Sequence, residues 1–364
     1  MKMKQKLKYF MSRFKERDII FISYILIFFG LIILFSASKG VITKESFFIK
    51  QILWVLIGTI FVYVFRNGDY RSLEKWSYLF YFITIFLLII VLFKGEGRAS
   101  RWIGLGWFYF QPSEFAKLVI ILALSSFLSN KNIRRFPILF ISLIIVGIPF
   151  LLVFKQPNLG TALIFIFIFL GISYIAGITR AQLISLFLFA IFVSPLIWTV
   201  MKDYQKERIL VFLNPMRDPL GKGYNILQSK ITIGSGGLIG KGFMKGTQTK
   251  LAFLPEYHTD FIFCLIAEEF GFIGVVIFIL LYFYFLDKIL EIISISKTEF
   301  GKYVACGIFV MFAGHFLINL GMTLGIFPIV GIPLPFISYG GSSLIVSLLC
   351  VIILSSIEKY STLF

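Results

Sequence analysis

The chain has little of what metal and redox chemistry require. Its 364 residues include only three cysteines and two histidines. Cys264, Cys306 and Cys350 lie in apolar stretches without metal-ligand spacing, so we interpret them as small apolar residues. The sequence lacks a His-Glu-x-x-His motif, a P-loop and a dinucleotide-binding fingerprint. It therefore predicts neither a zinc site nor an organic cofactor.

Charged residues are also scarce, at 15% of the chain against 59% hydrophobic residues, and the mean hydropathy is +0.93. A soluble domain cannot bury that much apolar surface, so the composition predicts a polytopic membrane protein. The alternating pattern of transmembrane β-strands is lacking, which favours an all-α fold with about ten transmembrane helices. The predicted spans are 19–36, 47–65, 77–93, 113–129, 136–154, 159–177, 183–200, 261–286, 302–322 and 343–357.

Acidic residues are outnumbered, 18 against 35 basic residues, which gives a formal net charge of +17. With about ten spans, the basic residues of the short loops fall on one side of the membrane, which the positive-inside rule makes cytoplasmic. Both termini are then cytoplasmic, and the charge excess indicates orientation rather than nucleic-acid binding. The residues that set this orientation are Arg66, Arg71, Lys75, Lys131, Arg134, Arg135, Arg180, Lys288, Lys297 and Lys359, with the basic tail 1–18.

The first span follows this cytoplasmic tail and ends near Ser36-Ala-Ser38, a pattern similar to a cleavable signal peptide. Because many spans follow, we interpret it as an uncleaved signal anchor. The chain is predicted to form one integral membrane domain over residues 1–364.

The predicted topology places three polar segments on the outer face, at 94–112, 201–260 and 323–342. Segment 201–260 is a large extracytoplasmic loop between helices 7 and 8. Its glycine-rich turns with apolar residues between them predict an ordered or re-entrant structure. The loop carries nine Lys or Arg against five Asp or Glu. This excess fits an anionic ligand such as a pyrophosphate, and equally a basic loop touching anionic lipid head groups.

Ionisable residues inside apolar spans are costly and are functional candidates. Glu114 and Lys117 open the fourth span three residues apart, which places them on one helix face. The alternative is an interhelical contact that only fixes packing.

Further polar residues lie in the eighth and ninth spans. Glu268 and Glu269 lie within two turns of the start of the eighth span, and Glu268 is a candidate structural partner for a cation on another helix. His315 and Asn319 are four residues apart and share a face of the ninth span. A structural role in helix packing is the alternative for these residues too.

Asp260 lies where the eighth span begins, after Glu256 and His258. With Thr259 it occupies an ordinary N-cap position, where the helix dipole would lower its basicity. A catalytic base needs the opposite shift, which partial burial at the membrane surface would supply. Both interpretations remain open from the residues alone.

Seven motifs are spread over nearly the whole chain. They are Arg101-Trp-Ile-Gly104, Gln111-Pro-Ser-Glu-Phe-Ala-Lys117, Gln156-Pro-Asn-Leu-Gly-Thr161, Asp218-Pro-Leu-Gly-Lys-Gly-Tyr224, Ile233-Gly-Ser-Gly-Gly237, Phe253-Leu-Pro-Glu-Tyr-His-Thr-Asp-Phe-Ile-Phe263 and Pro333-Leu-Pro-Phe-Ile-Ser-Tyr-Gly-Gly-Ser342. Together, and in this order, they resemble one family, the SEDS family of shape, elongation, division and sporulation proteins. Segment 246–255 is similar to its RodA branch more than to its FtsW branch.

This resemblance implies an inverting peptidoglycan glycosyltransferase that polymerises lipid II at the outer face of the cytoplasmic membrane for cell elongation and rod shape. It implies a class B penicillin-binding protein as transpeptidase partner, and other elongation-complex proteins. It also implies that Asp260 is catalytic, and that Trp102, Lys117 and the motif residue Glu114 are functionally important. The alternatives are a lipid II flippase or other transporter, an FtsW-like division enzyme, and a non-catalytic scaffold.

The implied reaction suggests further roles. Arg101, Lys117 and Lys230 would stabilise a leaving undecaprenyl pyrophosphate, and Trp102 would offer an amphipathic surface to a sugar or lipid. A divalent cation, Mg²⁺ or Mn²⁺, could neutralise the pyrophosphate. The family commonly has Asp where this chain has Asn158, which keeps hydrogen bonding but loses charge. We therefore expect Asn158 to orient groups rather than to act as a base.

Overall fold

A computed structural model describes residues 2–38, 46–94, 101–104, 109–201, 203–218, 221, 223–250 and 253–363. Ten of its helices coincide with the ten predicted spans, so the predicted all-α polytopic fold is confirmed. The first seven are α1 (Lys2–Ala37), α2 (Phe47–Phe65), α3 (Arg71–Lys94), α4 (Pro112–Leu128), α5 (Phe136–Lys155), α6 (Leu159–Ile175) and α7 (Arg180–Val200).

The large loop after α7 is ordered in its described parts, as predicted. It contains α8 (Asp203–Leu213), a 3₁₀ turn (Pro215–Arg217), α9 (Tyr224–Ser235) and the short α10 (Thr247–Lys250). The remaining spans are α11 (Ile262–Ile295), α12 (Glu299–Thr323) and α13 (Gly341–Leu363). Before α4, strands β1 (Ile103–Gly104) and β2 (Tyr109–Phe110) form an antiparallel hairpin.

Within the described residues, seven helices are long and apolar enough to cross a membrane, and α6 and part of α7 are shorter apolar helices. The predicted fourth span, α4, has 17 residues and opens with the charged residues Glu114 and Lys117. The basic tail continues the first span, because α1 already begins at Lys2.

Helix α12 lies at the centre of the bundle and packs against α4, α6, α11 and α13. Glycines along it allow this close packing. A Cβ added at Gly307 would meet Ile121 of α4 and Ile172 of α6, and one at Gly314 would meet Ile164 of α6. Small residues let neighbouring helices approach closely where lipid supplies no hydrophobic driving force.

Helix α11 is interrupted at Gly271, which has φ 64° and ψ −165° inside an otherwise helical run. The turn after α9 fills the interruption. The amide of Lys241 donates to the carbonyl of Glu268 over 2.9 Å, and the amide of Phe272 donates to the carbonyl of Gly237 over 2.9 Å. The loop backbone thus provides hydrogen-bond partners for amide and carbonyl groups that have no partner within α11 at the interruption. Backbone polar groups inside a membrane need such partners.

The side chain of Glu268 stabilises this turn. Its buried carboxylate accepts hydrogen bonds from the ammonium of Lys241 over 2.7 Å and from the amides of Thr247 and Gln248 over 2.8 and 2.9 Å. Glu268 pairs with a cation, as predicted, but the predicted place of that cation on another helix is wrong, because Lys241 lies in the loop between α9 and α10. Glu269 accepts a hydrogen bond from Ser36 of α1.

Candidate active site

Four polar segments meet at one end of the bundle, because successive spanning helices run in opposite directions. They are the start of the β-hairpin, the α5–α6 turn, the turn before α11, and the α12–α13 connection. The guanidinium of Arg101 donates to the backbone carbonyls of Gln156 and Pro157. The amide of Tyr339 donates to the carbonyl of His258 over 3.0 Å. Residues far apart in sequence therefore build one site.

Asp260 lies at the end of a tight turn that Glu256 initiates. Glu256 has φ 51°, in the left-handed region, and its carbonyl accepts the amides of Thr259 and Asp260, both at 3.1 Å. Helix α11 has Phe261 as its N-cap, with no side-chain capping bond. The N-cap interpretation of Asp260 is therefore wrong. Non-glycine residues in left-handed backbone tend to concentrate at functional sites.

The pKa of Asp260 is raised from 3.8 to about 6. Burial of the carboxyl group is the largest cause, and the nearby carboxylate of Glu256 adds to it. The guanidinium groups of Arg101 and Arg208 oppose the rise. A carboxylate with a pKa close to the working pH is suited to accept a proton during a reaction.

The α12–α13 connection lies against the carboxylate of Asp260. A Cβ added at Gly331, which has φ 69°, would lie 3.2 Å from Oδ2 of Asp260. Any side chain at this position would crowd the carboxylate and strain the backbone. Nδ2 of Asn319 donates to the carbonyl of Asp260 over 2.9 Å and to that of Ile332 over 2.7 Å.

His258 forms part of the wall of the site. Its ring stacks on Phe47 of α2 with centroids 3.8 Å apart, and Nε2 lies 3.8 Å from Oε2 of Glu256. Burial lowers the pKa of His258, and the Glu256 carboxylate opposes this effect. A lowered pKa favours the neutral imidazole. The stacking on Phe47 and the hydrogen bond from Tyr339 to the carbonyl of His258 give this residue a structural role in the loop.

The side chain of Gln51 on α2 holds the α12–α13 connection through two hydrogen bonds. The sequence did not identify this residue as part of the site. Its Oε1 accepts the amide of Gly340 over 3.1 Å, and its Nε2 donates to the carbonyl of Ser338 over 3.4 Å. Ser338 in turn donates its hydroxyl to the carbonyl of Thr259 over 2.6 Å. A buried glutamine in an apolar span was the signal that could have identified it.

Lys117 lies in a buried polar cluster below Asp260, with its side chain 2% exposed. Its Nζ lies 2.9 Å from each carboxylate oxygen of Glu114 and 2.9 Å from Nε2 of His315. The predicted common face of Glu114 and Lys117 is confirmed by this ion pair. Three contacts engage all three ammonium protons, so in this conformation Lys117 has none left for a phosphate.

Asn158 caps α6 from a buried position. Its Oδ1 accepts the amide of Thr161 over 3.4 Å, and its Nδ2 donates to Oγ of Ser113 over 3.2 Å. The residue thus ties the α5–α6 turn to the start of α4. Both bonds are ones that an amide makes without any charge.

The remaining predicted site residues lie farther from these contacts. Trp102 is partly exposed at the start of the β-hairpin, next to Arg101. Lys230 is exposed on α9, with its ammonium beside Gly325 in the loop after α12. Arg208 of α8 acts electrostatically on Asp260 although sequence reasoning did not select it.

An apolar cavity of about 540 Å³ lies between α2, α3, α4 and α13. It extends from Tyr70, where α3 is about to begin, to Phe110 and Phe115 beside the polar end of α4. Over the described ranges, no group of three or more His, Cys, Asp or Glu residues could hold a metal ion.

These features define a multi-pass membrane protein that gathers polar residues at one end of a helical bundle, around a half-buried carboxylate of raised pKa. The sequence model of the FtsW/RodA/SpoVE family of cell cycle proteins matches residues 17–363. The chain therefore belongs to this family, the SEDS family that its motifs predict.

Relatives in several branches are similar over most of the chain. It is 38% identical to the peptidoglycan glycosyltransferase MrdB of Escherichia coli K12, over 88% of this chain and 87% of that protein. It is 40% identical to the stage V sporulation protein E of Bacillus subtilis, over 94% of this chain and 96% of that protein. These two identities are too close to separate the branches, so the RodA assignment of segment 246–255 stays a prediction.

Solved structures share the fold. A chain of a peptidoglycan synthase complex that coordinates polymerization and crosslinking matches with a TM-score of 0.81 and 30% identity, over 94% of this chain and 97% of that one. RodA of Thermus thermophilus matches with a TM-score of 0.70 and 27% identity, over 94% of this chain and 96% of that one.

Proposed function

We propose that this protein is a peptidoglycan glycosyltransferase that polymerises lipid II, with Asp260 as general base. The observation that carries the proposal is the carboxylate of Asp260, half-buried, with a pKa raised to about 6 and not engaged as a helix cap. Relatives named as peptidoglycan glycosyltransferases, similar over most of the chain, support the reaction class.

In the proposed reaction, Asp260 removes the proton of the acceptor hydroxyl as its oxygen attacks the anomeric carbon of the donor sugar. The bond between that carbon and the lipid-linked pyrophosphate breaks, and the undecaprenyl pyrophosphate leaves with the electron pair. Attack from the face opposite the leaving group inverts the anomeric centre.

The leaving pyrophosphate needs positive charge within the same site, on the face of the donor sugar opposite the acceptor. Our candidates for this role are Arg101 and Arg208, because their charges act on Asp260 and therefore lie within the site. Lys117, which the family resemblance also suggested, would support the site from below through Glu114 and His315. Lys230 would meet the substrate only at the rim, and Trp102 would contact a sugar or the lipid.

A divalent cation, Mg²⁺ or Mn²⁺, would supply charge neutralisation for the leaving pyrophosphate. The apolar cavity between α2, α3, α4 and α13 supports a substrate that carries a long hydrocarbon chain. Its upper end, at Phe110 and Phe115, lies beside the motif that contains Glu114 and Lys117.

The proposed orientation places Asp260 on the outer face of the cytoplasmic membrane and both termini in the cytoplasm. A class B penicillin-binding protein would crosslink the strands, and the similar chain from a peptidoglycan synthase complex supports such a partner. We assign the role in elongation and rod shape on the resemblance of segment 246–255.

The test uses the full chain purified with its penicillin-binding protein, supplied with lipid II while transpeptidation is blocked. Wild type should form glycan strands, and Asp260→Asn should reduce the rate by about 10²- to 10⁴-fold, the usual contribution of a general base. Asp203→Asn, an exposed carboxylate change in the same loop, is the matched control. Polymerisation at the wild-type rate by Asp260→Asn would remove the base assignment. Transbilayer movement of lipid II without polymerisation would favour a flippase.

A further inference from the structure

Two buried polar side chains of α12 touch neither the substrate nor the reacting atoms in the proposed reaction. His315 and Asn319 lie one turn apart on the same helix face, and they are 3% and 0% exposed. Both contact backbone carbonyls of the segment beside Asp260. Burying polar groups in a membrane helix is costly, so contacts of this kind are functional candidates.

Asn319 joins the two connections that form the site. Its Nδ2 donates to the carbonyl of Asp260 over 2.9 Å and to that of Ile332 over 2.7 Å, which uses both amide protons. These two acceptors decide which way the amide points. Its Oδ1 is buried and has no hydrogen-bond partner within the described ranges. The side chain therefore leaves one buried acceptor atom unsatisfied while its two amide protons hold both carbonyls.

His315 holds the next carbonyl along the same segment. The ammonium of Lys117 can only donate, so Nε2 of His315 is the acceptor in their 2.9 Å contact. The ring proton is then on Nδ1, which donates to the carbonyl of Pro333 over 3.1 Å. Because both oxygens of Glu114 orient the ammonium of Lys117, this ion pair sets the tautomer of His315.

The segment held in this way carries Gly331, which lies against the carboxylate of Asp260. We propose that His315 and Asn319 are positioning residues, which hold Gly331–Pro333 and the Asp260 backbone in one arrangement and so aim the Asp260 carboxylate. The Glu114–Lys117 pair contributes only by fixing the tautomer in which Nδ1 of His315 donates to the carbonyl of Pro333. The inference rests on the proposed function, since it needs Asp260 to act on the substrate.

The first test separates the two nitrogens of His315. In His315→Asn, the amide can still donate to Pro333, but the partner of Lys117 is lost. In His315→Gln, the longer amide can still accept from Lys117, but the donor to Pro333 is lost. We expect His315→Asn to keep kcat within a few-fold and to unfold at lower temperature. We expect His315→Gln to unfold near the wild-type temperature and to lose about ten- to a hundred-fold in kcat, the cost of small misplacements.

The second test uses Asn319→Leu, which has similar volume and no donors, and the smaller polar variant Asn319→Ser. Without Asn319 the carboxylate of Asp260 is freer to reach water. The charged or titratable groups that face it are Glu256, Arg101 and Arg208, with His258 nearby. Burial is the main cause of its raised pKa, so the pKa should fall. The acidic limb of kcat should therefore move to lower pH, while kcat at the plateau falls and KM for lipid II stays within two- to three-fold.

Thr323→Val is the matched control, because among the described residues this buried hydroxyl of α12 bonds only to the carbonyl of Leu320 in its own helix. It should leave kcat and the acidic limb unchanged. All variants are assayed with the partner protein, after size-exclusion chromatography and thermal unfolding show folded protein.

The proposal is overturned if folded Asn319 variants keep the wild-type kcat, or if kcat falls while the acidic limb stays in place. Equal kcat in His315→Asn and His315→Gln would also overturn it. These outcomes differ from failure of the proposed function, which would appear as polymerisation by Asp260→Asn with wild-type residues at 315 and 319.

Discussion

The ammonium of Lys117 on α4 lies 2.9 Å from Nε2 of His315 on α12, and the two residues are separated by 198 positions in sequence. Glu114 completes the cluster with both carboxylate oxygens at 2.9 Å from the same ammonium. The contact joins two central helices directly below the site.

Replacing Lys117 with Met should strongly destabilise the protein, because it leaves the Glu114 carboxylate buried without its cation. Breaking a buried ion pair in this way typically costs about 3–5 kcal/mol. Thermal unfolding in detergent measures the loss. The double variant Glu114→Gln with Lys117→Met should recover part of the stability, and a double variant as unstable as the single one would contradict this explanation.

Polymerisation should depend on the ionisation of Asp260. Its pKa is about 6, and the base must be deprotonated, so the rate should fall as the pH drops through about 6. Glu256→Gln removes a negative charge that raises this pKa, so the acidic limb should move to lower pH. Rates from pH 4.5 to 8 with lipid II measure the shift. Asp203→Asn should leave the limb in place, and a limb that moves upward in Glu256→Gln would refute the electrostatic account.

Gly271→Ala should destabilise the upper part of α11. Position 271 has φ 64°, and a Cβ there would overlap the backbone of Ile239 and Gly240. Strained left-handed backbone alone costs on the order of 1–3 kcal/mol, and the overlap adds to it. Gly234→Ala is the control, since a Cβ at Gly234 meets no atom within 4 Å. Thermal unfolding compares the two variants, and equal melting temperatures would show that the loop can move away.

Asn158→Asp should change the polymerisation rate by only a few-fold. Asp caps a helix about as well as Asn, so the bond to the amide of Thr161 should persist. The donor to Ser113 is lost, but the serine hydroxyl can rotate and donate instead. The rate with lipid II tests this expectation, and a large gain would mean that Asn158 limits the native enzyme.

The sequence predicted the helices because hydropathy and span length are local properties. Even so, the predicted eighth span, 261–286, continues as α11 to Ile295, where Lys288 and Glu291 pair at 2.9 Å on its polar end. Hydropathy marks the end of an apolar run, and a helix can extend beyond it into water with charged residues.

The site was predictable only in part, because its contacts join residues distant in sequence. The motifs predicted Asp260, Lys117 and Arg101 as individual residues. They did not show that His315 receives Lys117, or that Arg208 acts on Asp260. The N-cap interpretation of Asp260 failed because it used only local sequence.

The interruption at Gly271 has a consequence for biogenesis. Nine residues of helix, about 13 Å at 1.5 Å per residue, separate it from the start of α11. Unpaired amides at such a depth would hinder insertion, since each costs several kcal/mol in hydrocarbon. The partner turn, Gly237–Gly242, precedes α11 in the chain and so leaves the ribosome first. The turn that forms backbone hydrogen bonds with the interrupted part of α11 is thus synthesised before α11 enters the bilayer. The unpaired backbone groups of α11 can therefore find their partners as soon as the helix inserts.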